Sequence, residues 1–176
     1  MFCVIDSLRG SSYVIDRRLD MNVIEARSGD LKRITEIYVE TFKGAFRGHV
    51  SDEFMNELSE TSEIVINVKK DIEAGDVFVV EDNGNILGFS VLKEYDSYVE
   101  LKLLYIDCGT QCKGVGKLLL KHATEYTRAI NLNEIVIWTL ENGPGRPFYK
   151  KNGAVESGIK GKWVENTDII ELKMMV

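Results

Sequence analysis

Hydrophobic positions with helical spacing dominate the first third of the chain after one short strand. Residues 22–26 predict the strand, and Ser28 then favours the N-cap of a helix. The apolar residues of that helix keep a period of 3.6 and are Leu31, Ile34, Ile37, Tyr38 and Phe42. Residues 51–60 and 62–74 predict two further helices, the first of them with Ser51 as its N-cap.

A β-hairpin and a third strand follow in the middle of the chain. Residues 77–82 and 86–94 are strand-like, and Asn83–Gly84 between them is a strong signal for a hairpin turn. Residues 97–107 form the next predicted strand. Its successive apolar residues Leu103–Leu104 interrupt the alternation and predict a bulge or a change of face.

The last third of the chain alternates between helix and strand. The patterns predict a helix over 114–130, a strand over 134–140 and a short helix over 147–153. Two strands of a closing hairpin follow, over 154–163 and 167–175. Antiparallel hairpins combined with one strand–helix–strand crossover predict a mixed sheet in an α/β (α+β) fold.

The length of the chain, 176 residues, suits one domain with a single hydrophobic core. From Met21 the sequence begins like a self-contained domain, so we expect residues 21–176 to form that domain and residues 1–20 to be an extra strand or arm. Charged residues such as Asp6 and Arg9 argue against a secretory signal in this arm. The apolar stretches have the length of strands, which argues against a membrane span.

Charge and cysteine content restrict the partners and the compartment. A net charge of −6 argues against nucleic acid as a partner, because phosphate binding needs a basic face, and it is compatible with a cationic substrate. The three cysteines, Cys3, Cys108 and Cys112, form no CxxC pair, and His49 and His122 lie far apart. We therefore expect no disulfide framework and no metal site. Reduced thiols are typical of a cytoplasmic protein.

The most specific motif of the chain is a loop with Gly114 and Gly116 at the start of the helix 114–130. Glycines at such a position let an anion approach the backbone. A phosphate-binding P-loop is excluded because Val115 and Gly116 stand where Lys and Ser or Thr are needed. A dinucleotide fingerprint is excluded because Leu119 replaces its third glycine. A loop that only connects a strand to a helix stays open as an alternative.

Two motifs remain, and together they point to a family. The first is Q-x-x-G-x-G after a bulged strand, formed by Gln111, Gly114 and Gly116. The second has an asparagine, a Phe–Tyr pair and a glycine, which are Asn142, Phe148, Tyr149 and Gly153. With these motifs residues 97–153 resemble the GCN5-related N-acetyltransferases, which bind acyl-coenzyme A. The order of elements is also similar to that fold, which implies about seven strands, two of them parallel and splayed apart.

The resemblance implies that acetyl-CoA is the co-substrate, in addition to the expectation of no metal from the cysteines and histidines. Backbone N–H groups from Cys112 to Gly116 would face its pyrophosphate at the positive end of the helix. Its pantetheine arm would lie between the strands 97–107 and 134–140. The implied cofactor-binding residues are Leu104, Tyr105, Ile106, Gln111, Cys112, Lys113, Gly114, Val115, Gly116, Lys117, Asn142 and Tyr149.

The resemblance also implies two catalytic residues, Tyr149 and Glu100. A phenol with a pKa near 10 is a weaker acid than a thiol near 8.5, a mismatch of about 2 kcal/mol, so Tyr149 is expected to stabilise the departing sulfur mainly by a hydrogen bond. Glu100 lies six residues before Ile106, where some protein-acetylating members carry a catalytic glutamate. An ordered water, Glu40 or Asp107 stay open as alternatives for the base.

The acceptor is the part of the function that the sequence leaves most open. Residues 37–50 either line a pocket for an amine with an apolar body or form an amphipathic helix that packs on the sheet. One function is N-acetylation of a small-molecule amine or polyamine, which the acidic composition favours. The others are N-acetylation of a peptide or protein, which needs an open groove beside Glu100, and a catalytically silent acyl-CoA-binding module. A homodimer is compatible with each of these three functions. Neither nucleic acid nor a membrane is expected as a partner.

Overall fold

A seven-stranded sheet with helices on both faces forms the described part of the chain. The computed structural model describes residues 21–58, 63–111 and 113–176. The strands are β1 (Asn22–Glu25), β2 (Val77–Asp82), β3 (Asn85–Glu94), β4 (Val99–Ile106), β5 (Glu134–Leu140), β6 (Val155–Lys162) and β7 (Asp168–Met175). The helices are α1 (Leu31–Phe46), α2 (Asp52–Glu57), α3 (Glu63–Glu73), α4 (Val115–Ala129) and α5 (Gly145–Lys151). The predicted arm, residues 1–20, lies outside the described residues.

The sheet is mixed and mostly antiparallel, as the sequence predicts. The strand order is β1-β2-β3-β4-β5-β7-β6, and the β4–β5 pair is parallel while the other pairs are antiparallel. The predicted closing hairpin forms, but its second strand, β7, enters the sheet first and lies beside β5. Strand β6 is therefore an edge. Across the three described ranges, no helix has both the length and the apolar character that crossing a membrane requires.

One of the two predicted N-caps is correct and the other is wrong. The Ser51 hydroxyl accepts a hydrogen bond from the Phe54 N–H at 3.1 Å, and α2 begins directly after it. Ser28 instead lies inside a short 3-10 turn that precedes α1. The N-cap residue of α1 is Asp30, but its side chain does not cap the helix; its carboxylate instead accepts the Arg27 N–H of the preceding turn at 2.7 Å. Ser28 thus lies two residues before the N-cap position of α1.

The two faces of the sheet carry different helices and separate hydrophobic clusters. Helices α1, α2 and α3 cover one face, where Ile34, Ile37 and Phe42 of α1 are fully buried. Helices α4 and α5 cover the other face, where Leu119 and Leu120 contribute to the core. The helical pattern around Phe42 is thus explained by packing on the sheet.

Strands β4 and β5 part after a short parallel contact, as the resemblance implies. Their register comprises two residue pairs, Val99–Ile135 and Glu100–Val136. A bulge also interrupts the β3–β4 ladder: Leu92 faces Leu101 and Val91 faces Leu103, so Lys102 is the extra residue. The predicted bulge is confirmed one residue before Leu103–Leu104. Beyond it, Leu103 and Tyr105 pack with the α1 face, whereas Leu104 and Ile106 pack with the α4 face.

The loop between β6 and β7 fastens onto the end of α1. The Glu165 carboxylate accepts hydrogen bonds from the Ser51 N–H and hydroxyl at 2.5 and 2.7 Å. The Thr167 hydroxyl donates to the His49 carbonyl at 3.1 Å, and the Trp163 ring packs edge-on against Phe46 with ring centres 5.1 Å apart. These contacts bring Trp163 to the α1 side of the sheet.

A charged cluster joins α5 to the edge strand β6. The Glu156 carboxylate receives hydrogen bonds from Lys150 at 2.8 Å and from Arg146 at 2.7 Å. The Lys150 hydrogen bond, followed by that of Arg146, lowers the pKa of Glu156 to about 2. The cluster lies on the surface, where water screens such pairs.

Candidate active site

A cavity of about 1010 Å³ opens where β4 and β5 part. Residues from the second half of β4, the end of β5, α5 and the Trp163 loop form its walls. They include Leu104, Tyr105, Ile106, Trp138, Tyr149 and Trp163. This volume is at the upper end of the range of small-molecule and cofactor sites in proteins. The break in the sheet therefore forms this cavity directly.

The second half of β4 offers an open strand edge to this cavity. Beyond the Glu100–Val136 pair, β4 has no strand partner on its β5 side within the described residues. Leu104, Tyr105 and Ile106 all line the cavity. The predicted role of their N–H groups in binding a pantetheine arm stays a prediction, and the unpaired edge supplies the geometry that it needs.

The start of α4 has no side-chain cap in the described structure. Gly114 stands at the N-cap with φ = 90°, a left-handed conformation that strains other residues, and it has open space around it. The N–H groups of the first turn have no acceptor within the helix, and the first helical bond runs from Leu118 to Gly114 at 3.1 Å. The Lys113 N–H instead donates to the Thr110 carbonyl at 3.4 Å. Cys112, a predicted cofactor-binding residue, lies outside the described residues.

Gly116 has a packing role that the sequence does not reveal, and its predicted role in cofactor binding stays a prediction. A Cβ added there would meet Ile106 Cδ1 at 2.8 Å and Phe148 Cζ at 3.3 Å. The absent side chain thus lets α4 pack closely against the end of β4 and against α5. Gly114, in contrast, is required for its backbone conformation. Lys113 and Lys117 are both exposed on either side of this turn, and Gln111 lines the cavity.

Asp107 anchors the loop that leads to Gly114. Its Oδ1 accepts a hydrogen bond from Arg33 of α1 at 2.6 Å, and its Oδ2 accepts the Gly109 N–H at 3.1 Å. The Thr41 hydroxyl of α1 also donates to the Ile106 carbonyl at 3.1 Å. These bonds fix the end of β4 against α1. Asp107 is an alternative candidate for the base, but these hydrogen bonds already give its carboxylate a structural role.

Tyr149 combines burial with a hydroxyl group that has no protein partner. Its residue surface is 8% exposed, its side chain lines the cavity, and no hydrogen bond of its hydroxyl occurs among the described residues. Burial raises the pKa of Tyr149 well above the usual value of 10. The phenol therefore stays protonated at neutral pH, and its proton is available to a molecule in the cavity.

Two other tyrosines line the cavity, Tyr38 of α1, which is buried, and Tyr105 of β4, which is half-buried. Their rings meet edge-on with centres 5.1 Å apart. Burial raises the pKa of both hydroxyl groups. Tyr38 and Tyr105 therefore lie against each other, and Tyr149 is the third tyrosine of the cavity lining in the described structure.

Glu100 lines the cavity near the point where the strands separate. Its side chain is half-buried, and its Oε2 accepts a hydrogen bond from the Tyr95 hydroxyl at 3.2 Å. The alternative base Glu40 and His49 are exposed and do not line the cavity, whereas Tyr38 and Phe46 from the same segment do. The structure thus divides the segment 37–50 between core packing and cavity lining.

Asn142 lies apart from the other predicted site residues. It is exposed in the loop between β5 and α5 and does not line the cavity, although its neighbour Gly143 does. Helix α5 begins three residues later, at Gly145, with Pro144 at the N-cap. The predicted role of Asn142 in holding the pantetheine arm stays a prediction.

The charges that line the cavity are unevenly paired. The charged lining residues in the described ranges are Glu63, Asp71, Glu100, Lys102 and Lys162. Lys102 is 2.9 Å from Asp71, and Lys162 is 2.5 Å from Asp168. Glu63 and Glu100 form no ion pair in the described structure. The uncompensated charge that faces the cavity is therefore negative.

Sequence reasoning missed several lining residues. Asp71 reads as an ordinary polar residue of an amphipathic helix, and Lys102 as a solvent-facing strand residue. Trp138 occupies a regular position in its strand, and Trp163 lies in a hairpin loop without a motif. Only the bulge signal near Lys102 marks this region, because the other contacts join parts of the chain that are distant in sequence.

Comparison with known proteins gives consistent matches in sequence and in fold. Residues 73–153 match the family described as "Acetyltransferase (GNAT) domain". The uncharacterized N-acetyltransferase YuaI of Bacillus subtilis (strain 168) is 26% identical over 136 residues, which cover 74% of this chain and 78% of that protein.

Two solved structures show the same fold at low sequence identity. The PaiA N-acetyltransferase of Thermoplasma acidophilum, crystallised with coenzyme A, superposes with a TM-score of 0.78 at 20% identity over 89% of this chain and 99% of that one. The yncA protein of Salmonella typhimurium, solved with its cofactor acetyl-CoA, gives a TM-score of 0.66 at 19% identity over 89% and 94% of the two chains. These similarities concern the fold.

Proposed function

We propose that this chain, which belongs to the GNAT superfamily and is an acetyl-CoA-dependent N-acetyltransferase, transfers the acetyl group directly to the primary amine of a small molecule or a polyamine. The observation that carries this proposal is the unpartnered Tyr149 hydroxyl in a cavity whose unpaired charges are carboxylates. The Tyr149 hydroxyl can donate a hydrogen bond to the departing thiolate, and the carboxylates can attract the ammonium group of the incoming acceptor.

The parted strands and the start of α4 fit acetyl-CoA. The open edge of β4 at Leu104–Ile106 can pair with the amides of a pantetheine arm. The uncapped first turn of α4, preceded by Gly114, suits a pyrophosphate, because its N–H groups and the helix dipole both favour an anion. Lys113 and Lys117 would add positive charge at the rim. In PaiA and yncA, coenzyme A and acetyl-CoA respectively are present in the solved structures.

In this proposal Glu100 receives the acceptor amine. An amine is protonated near pH 7 and must lose a proton before it can attack a carbonyl carbon. The Glu100 carboxylate would first attract the ammonium group and then accept this proton, directly or through water. The Tyr95 hydroxyl occupies one of its oxygens, which leaves the other available.

Tyr149 would act on the opposite side of the reaction. Acetyl-CoA supplies an acetyl group that is activated as a thioester. Because burial raises the pKa of Tyr149, the phenol donates a hydrogen bond and keeps its proton, rather than transferring it fully. A hydrogen bond that strengthens as charge develops on sulfur stabilises the transition state more than the ground state.

The cavity's charge favours a cationic acceptor with an apolar body. The side chains of Trp138, Trp163 and Phe46 supply apolar lining, while Glu63 and Glu100 carry uncompensated negative charge. Aromatic faces and carboxylates both attract ammonium groups. An amine with a second positive charge would therefore gain more from this cavity than a neutral one.

A peptide acceptor is the second candidate, supported by the surface beside Glu100. Tyr95 is 48% exposed and stacks on Tyr98 with ring centres 4.8 Å apart, next to the Glu100 carboxylate. These exposed, stacked rings form a surface against which an extended peptide can pack. A catalytically silent acyl-CoA-binding module has less support, because it would have no use for the unpartnered phenol.

The test is the release of free thiol from acetyl-CoA across a panel of monoamines, diamines, polyamines, and peptides with a free α-amine or lysine. Turnover with diamines or polyamines supports the proposal, and turnover with peptides alone supports the second candidate. Binding of coenzyme A without any turnover leaves the silent module. A hundredfold excess of acetyl-CoA over its Kd should stabilise the fold by about 2.7 kcal/mol, and no thermal shift would reject all three.

A further inference from the structure

The most strongly paired charges of the cavity form a network around Asp71. This residue of α3 is 6% exposed. Its Oδ1 lies 2.8 Å from the ammonium group of Lys93 and its Oδ2 lies 2.9 Å from that of Lys102. Lys93 also pairs with Asp76. Two carboxylates and two ammonium groups thus neutralise one another beside the cavity.

The same two lysines flank Glu100. Lys93 of β3 is the cross-strand partner of Glu100, and Lys102 follows it by two residues and lines the same cavity. A lysine directly opposite a glutamate usually forms an ion pair with it. Within the described residues, however, the Glu100 carboxylate interacts only with the Tyr95 hydroxyl. Its two cationic neighbours are bound elsewhere.

Burial explains why the two lysines pair with Asp71 rather than with Glu100. The attraction between opposite charges grows as water is excluded, and Asp71 is buried whereas Glu100 is half-buried. A buried carboxylate also has a larger desolvation cost to offset, so it needs its cationic partners more. The bulge contributes as well, because Lys102 is the extra residue of β4 and has no partner in the β3 ladder.

We propose that Asp71 is a positioning residue of the acceptor site: it binds the ammonium groups of Lys93 and Lys102 and thereby leaves Glu100 free for the acceptor amine. This inference rests on the proposed function and concerns the same cavity. Asp71 touches neither reacting group in this scheme. It acts by withholding two competing cations, above all Lys102, from the carboxylate that the acceptor needs.

The decisive comparison uses Asp71→Asn, Lys102→Met and the double variant, each measured with an amine that the native chain acetylates. We expect D71N to raise the acceptor KM about tenfold and to change kcat and the KM for acetyl-CoA much less, because the released Lys102 competes for Glu100. K102M alone should keep the native acceptor KM. In D71N/K102M the acceptor KM should return to about the native value, since the competitor is gone.

A purely structural role of Asp71 gives the opposite pattern. If Asp71 only stabilised α3, removing Lys102 in addition would not lower the acceptor KM. A double variant whose acceptor KM is as high as that of D71N therefore overturns the proposal. So does a folded D71N with native acceptor KM. A raised KM in K102M would mean that Lys102 itself binds the acceptor, which also overturns it. Glu73→Gln on the same helix, which removes an exposed pair with Lys69, is the matched control and should change none of these values.

Thermal unfolding establishes that each variant is folded before its kinetics are compared. If D71N does not fold, Asp71→Ser and D71S/K102M make the same comparison, because the smaller side chain admits water to the two ammonium groups. Failure of the proposed function can be recognised on its own. A native chain that binds acetyl-CoA but acetylates no amine rejects both that function and this inference. An active native chain with no rescue rejects this inference alone.

Discussion

Replacing Tyr149 by phenylalanine should separate catalysis from stability. The change removes one hydroxyl group and keeps the ring that packs beside Phe148. That hydroxyl has no protein partner in the described structure, so its loss breaks no internal hydrogen bond. We therefore expect the free energy of unfolding of Y149F to stay level or rise by up to about 1 kcal/mol.

The expected loss in catalysis follows from the same hydroxyl. A hydrogen bond to a charged acceptor contributes about 1.5–3 kcal/mol, and each 1.36 kcal/mol of barrier is a factor of ten. If the Tyr149 hydroxyl binds the developing thiolate, kcat should fall about ten- to hundredfold. The Kd of coenzyme A should change little, because the bond is formed mainly as charge develops.

The pH dependence distinguishes a hydrogen-bond donor from a full proton donor. Burial raises the pKa of Tyr149 above 10, so the phenol remains protonated below that pH. The ratio of native to Y149F turnover should therefore be constant between about pH 6 and 9. A ratio that changes steadily in this range would show that Tyr149 titrates during turnover.

The assays are thiol release for kcat, calorimetric titration for coenzyme A and thermal unfolding for stability. Tyr126→Phe is the matched control, because the Tyr126 hydroxyl is bonded to Glu94 away from the cavity. It should lose about 1 kcal/mol of stability and keep native turnover. Y149F with native kcat and a clearly lower melting temperature would refute the assigned role.

Three further predictions concern the start of α4, the cap of α2 and the surface cluster. Gly114→Ala and Gly48→Ala should each cost about 1–2 kcal/mol, since both glycines have positive φ and open surroundings, but only G114A should weaken coenzyme A binding in titration. Ser51→Ala should cost about 1 kcal/mol or more in chemical unfolding, and Ser28→Ala close to nothing, because only Ser51 caps a helix. Glu156→Gln should lower the melting temperature at pH 7. Because folding lowers the pKa of Glu156 from 4.5 to about 2, this difference should disappear as the pH falls through that range, and a constant difference would contradict it.

Local signals in the sequence predict most of the fold. Strand β5 has the predicted limits, and the hairpin at Asn83–Gly84 forms as expected. These features depend on residues that are close in the chain. The position of β7 between β5 and β6 depends instead on contacts between distant segments, which no local pattern encodes.

The sequence indicates parts of the candidate site where a motif is present. The resemblance based on two motifs names Tyr149 and Gly114 and implies the parted strands, and the broken alternation in β4 predicts the bulge. The pairing of Asp71 with Lys102 spans 31 residues and depends on a bulge whose extra residue the alternation does not identify. The packing reason for a glycine at position 116 is likewise tertiary, since its neighbours Ile106 and Phe148 come from other elements.

The short contact between β4 and β5 divides the sheet into a four-stranded part (β1–β4) and a three-stranded part (β5, β7 and β6). These parts are joined by two residue pairs of the ladder, by α4 on one side and by the contacts of the β6–β7 loop with the α1–α2 region on the other. A ligand that lies in the gap adds a further connection, so it couples the opening of the two parts. Native-state hydrogen exchange should then show separate opening free energies for the two parts in the free protein, and a single common one when the gap is filled.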